Sequence, residues 1–145
     1  MSIGQVDVCV SLVNQKVQFK GISKDNPDSP IPFDYLPPMG DGQGFLGLEM
    51  LVMSFAGCVS TGIVFLLRRL GKNVISFKMN ATGVKRAKPL SLERICLEII
   101  LESDNTDDSE IQNVIEQAEG LSPVWLALKN NVEVVSEYKI IKMNP

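Results

Sequence analysis

The sequence predicts an α+β domain. Three observations carry that expectation: short segments in which apolar and polar residues alternate, one long uncharged helical run between pairs of such segments, and no repeated strand–helix–strand unit. At 145 residues the chain has the length of one domain, since hydrophobic cores usually divide only well beyond that size. The expected layout, in a single domain over 1–145, is an N-terminal β-hairpin over 5–22 and an irregular Pro/Gly loop over 23–44. A central helix over 45–70 and a β-β-α-α-β arrangement over 73–142 complete it.

Val6, Val8, Val10 and Leu12 alternate with Asp7, Cys9 and Ser11, the period of a half-buried strand that turns Cys9 to the polar side. Asn14-Gln15 is a polar break, after which Val17 and Phe19 alternate with Lys16, Gln18 and Lys20, so the two strands read as a hairpin. From Ser23 to Gly44 the chain holds Pro27, Pro30, Pro32, Pro37 and Pro38 with Gly40, Gly42 and Gly44, which predicts a long irregular segment. The run Gly40-Asp41-Gly42-Gln43-Gly44 precedes a helix and raises the possibility of a phosphate cradle. No Lys-Ser/Thr follows and no strong strand precedes it, so a flexible lead-in to the helix is the better reading.

From Met50 to Leu67 there are 18 residues without a charge, which reaches the length of a membrane span, and Arg68, Arg69 and Lys72 follow it. Against a span stand the small and polar residues at its centre, Ser54, Gly57, Cys58, Ser60, Thr61 and Gly62, and the soluble patterning of the rest of the chain. A central helix enclosed on every side explains both its length and its small residues. Glu49 near its start and Arg68 and Arg69 near its end suit the helix dipole, and Gly71 is a natural stop. The segment MSIGQVDVCV lacks the basic and apolar regions of a signal peptide.

Ile75, Phe77, Met79 and Ala81 alternate with Ser76, Lys78 and Asn80 as a strand, and the basic run Lys85, Arg86 and Lys88 before Pro89 reads as a solvated loop. Ile95, Leu97, Ile99 and Leu101 form the next strand, with Cys96 on its mixed face. Asp107 followed by Glu110 resembles a capping box, and Ile111, Val114, Ile115 and Ala118 mark one face of a helix ending near Gly120. Ser122-Pro123 supplies the N-cap and first residue of a short helix whose Trp125 is a core anchor, and Val132, Val134, Tyr138 and Ile140 close the chain as a strand.

Composition excludes several chemistries. With no histidine, Ser-His-Asp and Cys-His catalysis, imidazole proton transfer and His-ligated metal sites are ruled out, leaving Cys, carboxylates, Lys or Tyr as acid, base or nucleophile. Cys9, Cys58 and Cys96 form no CxxC and are odd in number, which argues against a structural zinc site and a secreted disulfide framework and fits a reducing, cytoplasmic setting. A formal charge of −3 gives no electrostatic reason to expect nucleic acid or an anionic membrane as partner. No cofactor or metal is expected.

Cys58 is the cysteine of interest, mid-way along the central helix. It reads either as a buried small hydrophobe or as a reactive thiol, and its mid-helix position denies it the N-terminal dipole that activates thiols. Glu49 is an ordinary first-turn acid or a catalytic one. Nine residues before Cys58, it lies about 180° around the helix and roughly 13.5 Å along it, so the two meet only through a helix break or a second subunit.

With these landmarks placed, the chain resembles the OsmC/Ohr family. The resemblance rests on Gly40-Asp41-Gly42 and Gly44 leading through Leu48-Glu49-Met50-Leu51 and an Ala/Gly-rich run to Cys58. It extends to Leu70-Gly71-Lys72-Asn73-Val74, and to Leu121-Ser122-Pro123-Val124 through Leu128-Lys129, similar to the family's Cys-Pro-Val helix. It implies an intertwined homodimer whose long central helices are sandwiched between antiparallel-rich β-sheets, with the active site at the interface where a second subunit brings Glu49. It further implies that Cys58, as thiolate, attacks a peroxide to give a sulfenic acid and an alcohol, which a second cysteine resolves as a disulfide.

The chain departs from that pattern. Ser122 occupies the second-cysteine position, and no arginine precedes Arg68, so Lys16, Lys20 and Lys24 are imperfect stand-ins for the family's N-terminal arginine. Glu49 resembles the glutamate of some OsmC-like branches but lies one position from the Ohr-type glutamate, where this chain has Leu48. The expectation is an OsmC-like thiol-dependent peroxidase reducing organic hydroperoxides or peroxide through a single catalytic Cys58, supported by Glu49, with an external thiol or dithiol as resolving partner. The alternative is a non-catalytic OsmC-like dimer that binds a small hydrophobic molecule or senses oxidant.

Overall fold

The computed structural model describes residues 4–142 and shows the expected α+β class, with helices and two three-stranded sheets. Two compact units are described in turn, one up to Met50 and one from Leu51 onward.

In the first unit, β1 (Val8–Leu12), β2 (Phe19–Ser23) and β3 (Asn26–Phe33) pair antiparallel in that order. The β1–β2 hairpin runs from Val8↔Ser23 to Leu12↔Phe19. β3 corrects the expectation of an irregular segment over 23–44: residues 26–33 are a strand despite Pro27, Pro30 and Pro32. The reason lies in edge geometry, because a residue's N–H and C=O point to the same side of a strand. The Pro32 carbonyl accepts from Phe45 N–H at 2.9 Å on the side away from β2, so the N–H that Pro32 lacks would also have faced away from β2, while Pro27 and Pro30 fall between Asn26 and Ile31, where the register shifts and β2 offers no ladder partner.

The second unit begins within α1 (Gly47–Arg69), slightly shorter than the expected 45–70. Phe55, Val59, Ile63, Leu66 and Leu67 form its buried stripe, while Met53 and Phe65 stay about half exposed at 51% and 56%. Within the chain, α1 is therefore enclosed on one side rather than all round. By length and composition alone it could cross a membrane.

β4 (Ser76–Ala87) and β5 (Leu90–Glu102) form a long antiparallel hairpin, and β6 (Glu133–Ile141) joins β5 in parallel. The basic run is only partly the loop that the sequence suggested: Lys88 lies in the turn before β5, but Lys85 and Arg86 lie in β4 opposite Leu92 and Ser91. Alternation is lost there because a bulge at Val84/Lys85 leaves Glu93 as the extra residue, shifting the phase so that both Leu92 and Ile95 are buried. Gly83 lets the helix sit on this sheet, since a Cβ there would stand 2.9 Å from both Leu92 Cδ1 and Val52 Cγ2.

α2 (Asp108–Leu121) starts as predicted, with Asp107 accepting from Glu110 N–H and Glu110 accepting in return from Asp107 N–H. Lys72 Nζ binds the Glu110 carboxylate at 2.5 Å and, as the largest cause, holds it below its ordinary value. α3 (Pro123–Leu128) follows directly, capped by Ser122, and its Trp125 packs on Phe55 of α1 with ring centroids 5.5 Å apart.

Candidate functional site

Cys58 is half-buried, one helical turn beyond Phe55 on α1, and its side-chain hydrogen-bond partner comes from 64 residues downstream. Ser122 joins two helices: its N–H donates to Ala118 O at 2.9 Å to close α2, and its Oγ accepts from Trp125 N–H at 3.4 Å to open α3. The remaining hydroxyl hydrogen is donated to Cys58 Sγ at an O···S distance of 3.1 Å. Ser122 itself is 1% exposed.

Beside the sulfur lies an open cavity of about 420 Å³ lined by Cys58, Thr61, Gly62, Phe65, Leu121 and Pro123. The lining carries no charged side chain. Thr61 donates its hydroxyl back to Gly57 O at 2.9 Å, which leaves a largely apolar wall. An arrangement of this kind offers a thiol with a fixed hydroxyl donor to a ligand that approaches along apolar surface. Phe65 was not singled out from sequence, although Cys58, Gly62 and Phe65 at i, i+4 and i+7 share one helix face, and Leu121 entered only as part of the motif around Ser122.

Glu49 is exposed and accepts from Leu46 N–H at 3.1 Å, the back-reaching half of a capping box at the start of α1. Its side-chain contact is thus with its own first turn, and it is not among Cys58's partners. Of the three lysines weighed as stand-ins for an arginine, Lys16 pairs with Asp41 and Lys24 lies 3.9 Å from Asp7. Cys9 is exposed on β1, and Cys96 faces a different depression with Asn80, Thr82 and Glu98. All three cysteines are free.

The glycine run before α1 is not an open phosphate cradle. Its amides are taken by the chain's own anion: Asp34, 5% exposed, accepts from Gln43 N–H at 3.0 Å, Asp41 N–H at 3.1 Å and Tyr35 N–H at 2.8 Å. Donation from Gln43 is the largest influence; burial opposes it, Tyr35, Asp41 and the charge of Lys16 add to it, and the carboxyl is held below its ordinary value. Gly40 is obligatory in this wrap, because a Cβ there would stand 2.2 Å from Tyr35 O and 2.3 Å from Asp34 Oδ1. Sequence reading missed Asp34; the signal available was an aspartate six residues ahead of alternating glycines.

The OsmC-like protein family model matches residues 40–137, which takes in the glycine run, Cys58 and Ser122. The chain belongs to the OsmC-like family. Solved structures agree in fold. An OsmC-like protein from Mycoplasma pneumoniae is 18% identical, covers 99% of this chain and 100% of its own, and superposes with a TM-score of 0.79. The organic hydroperoxide resistance protein OhrB of Bacillus subtilis is 14% identical over 95% of this chain and 100% of its own, with a TM-score of 0.65. A putative organic hydroperoxide resistance protein from Vibrio cholerae, solved with captopril in one of its active sites, is 16% identical over 95% of this chain and 93% of its own, at 0.72. No curated protein is a significant match by sequence.

Proposed function

We propose that this OsmC-like protein is a one-cysteine thiol peroxidase that reduces organic hydroperoxides in the cytoplasm. The single observation that carries the reading is Cys58 itself, half-buried at an apolar, solvent-open cavity with a serine where a resolving cysteine would stand. The Cys58 thiolate attacks the terminal peroxide oxygen. A sulfur–oxygen bond forms, the oxygen–oxygen bond breaks, and the alkoxide leaves and takes up a proton as the alcohol, with sulfur oxidised by two electrons to a sulfenic acid. An external thiol then attacks that sulfur, releasing water and leaving a mixed disulfide. A second thiol equivalent returns Cys58 to its reduced form and departs as the external disulfide.

The same reading makes the working unit a homodimer, with Glu49 acting at the Cys58 site of the other copy. Its support is apolar surface left exposed among the described residues: Val6 is 88% and Val8 67% exposed, and Met53 and Phe65 on α1 are about half exposed. Incubation with cumene hydroperoxide and dithiothreitol is expected to consume peroxide, and Cys58→Ser to abolish the loss. No consumption, or consumption indifferent to that substitution, sinks the proposal. The uncharged cavity lining favours one competing reading, a non-catalytic dimer that holds a small hydrophobic molecule or senses oxidant. It would bind an apolar fluorophore without turning over peroxide.

A further inference from the structure

We propose that Ser122 is a positioning residue for the Cys58 sulfur: its hydroxyl fixes the thiol at the cavity and stabilises negative charge there. The inference deepens the peroxidase reading, but its own observable is thiol reactivity. A serine hydroxyl has one hydrogen to give and lone pairs to accept with. Here the accepting side is occupied by Trp125 N–H and the backbone N–H by Ala118 O, so the hydrogen aimed at Cys58 Sγ is the one group left to do chemistry. Two further contacts hold the corner against α1. Trp125 packs on Phe55, and Gly62, four residues beyond Cys58, stands where an added Cβ would meet Ala118 Cβ at 3.7 Å.

The donor is therefore in place before any charge develops, which is the condition under which a hydrogen bond stabilises an anion without reorganising around it. No charged side chain lines the cavity, so this hydroxyl is its polar contact to the sulfur. Oxygen at position 122 cannot form a disulfide, so an oxidised Cys58 keeps a donor beside it while staying open to a thiol arriving through the cavity.

The test is alkylation of Cys58 in the full chain by iodoacetamide between pH 6 and 9, read peptide by peptide in a mass spectrometer. Wild type is compared with Ser122→Ala and Ser122→Gly, each checked by thermal melting. Both variants lose the donor, while glycine is nearly as good a helix cap as serine, so a slow glycine variant cannot be ascribed to loss of the cap. The expected result is alkylation at neutral pH about fivefold slower in both, the size of effect that one hydrogen bond supplies. Wild-type rates in both variants, or slowing in the alanine variant alone, overturn the proposal. Peroxide loss is measured in parallel. Slowed alkylation in a protein that consumes no peroxide keeps Ser122's role and removes the peroxidase, whereas Cys58-dependent consumption with equal alkylation removes Ser122's role and keeps the peroxidase.

Discussion

The two units of the chain are held together in different ways. Among the described residues every buried hydrophobic side chain lies beyond Leu51, from Phe55 and Val59 on α1 to Trp125 and Val132. In the first unit the buried residues are Asp34 and Gly40, and the apolar residues of β1 are exposed. One unit rests on a packed core, the other on strand ladders and a carboxylate wrapped in amide donors. The first is therefore poor in apolar burial by itself.

Substitutions that remove apolar volume should separate the units most sharply. Phe55, fully buried against Trp125, is expected to cost about 3–5 kcal/mol on replacement by alanine, whereas Val10→Ala on exposed β1 should fall within about 0.5 kcal/mol for an isolated chain. Urea denaturation at low protein concentration measures both, and equal costs would break the comparison. A large cost for Val10→Ala that appears only at high protein concentration would sharpen it, by placing β1 in an interface.

Next in size is the Asp34 wrap. Gly40→Ala forces a Cβ against Tyr35 O and should raise hydrogen exchange at Asp41 and Gln43 N–H by about tenfold or more, since strain at a closed backbone approach is among the costly lesions. Unchanged protection would show that the amide cradle is not what orders the segment.

Acid should act on the same contrast more gently. The Asp34 carboxyl is held below its ordinary value of 3.8, so its contribution is complete above that value and is lost as pH falls through the lower folded one. Asp107, lowered first by Glu110 N–H, and Glu110, lowered first by Lys72, follow the same sign. The second unit nevertheless keeps its apolar core when they protonate. Exchange followed down a pH series below 4 should therefore show residues 34–46 losing protection ahead of β5, and simultaneous loss would contradict the comparison. Smallest is Ser122→Ala, expected to cost about 1 kcal/mol in thermal melting through loss of the α3 cap.

How much of this was legible follows from what each feature depends on. α1, α2, α3 and the strands of the second sheet carry their own periodicity and caps, and Asp107, Glu110 and Ser122-Pro123 announce helix starts through chemistry confined to four residues. β3 was hidden because its prolines argue against a strand unless the strand lies at an edge, and edge position is a property of the sheet. Lys85 and Arg86 were misread for a similar reason, since the bulge opposite them erases the alternation that marks a strand. Asp34 pairs with amides seven and nine residues ahead, a spacing with no helical or strand period. Cys58 and Ser122 were each visible, but their contact spans 64 residues and depends on how α2 and α3 fold back onto α1.

The corner at Ser122 has a consequence for what position 122 can accept. Sulfur is a weak hydrogen-bond acceptor, so a cysteine there would cap α3 less well than serine does while offering Cys58 a covalent partner. Firm capping and self-contained resetting of the thiol compete for one side chain. With serine in that place, the proposed cycle runs only as fast as small thiols arrive from outside, and the resting oxidation state of Cys58 becomes a gauge of the reducing capacity around it.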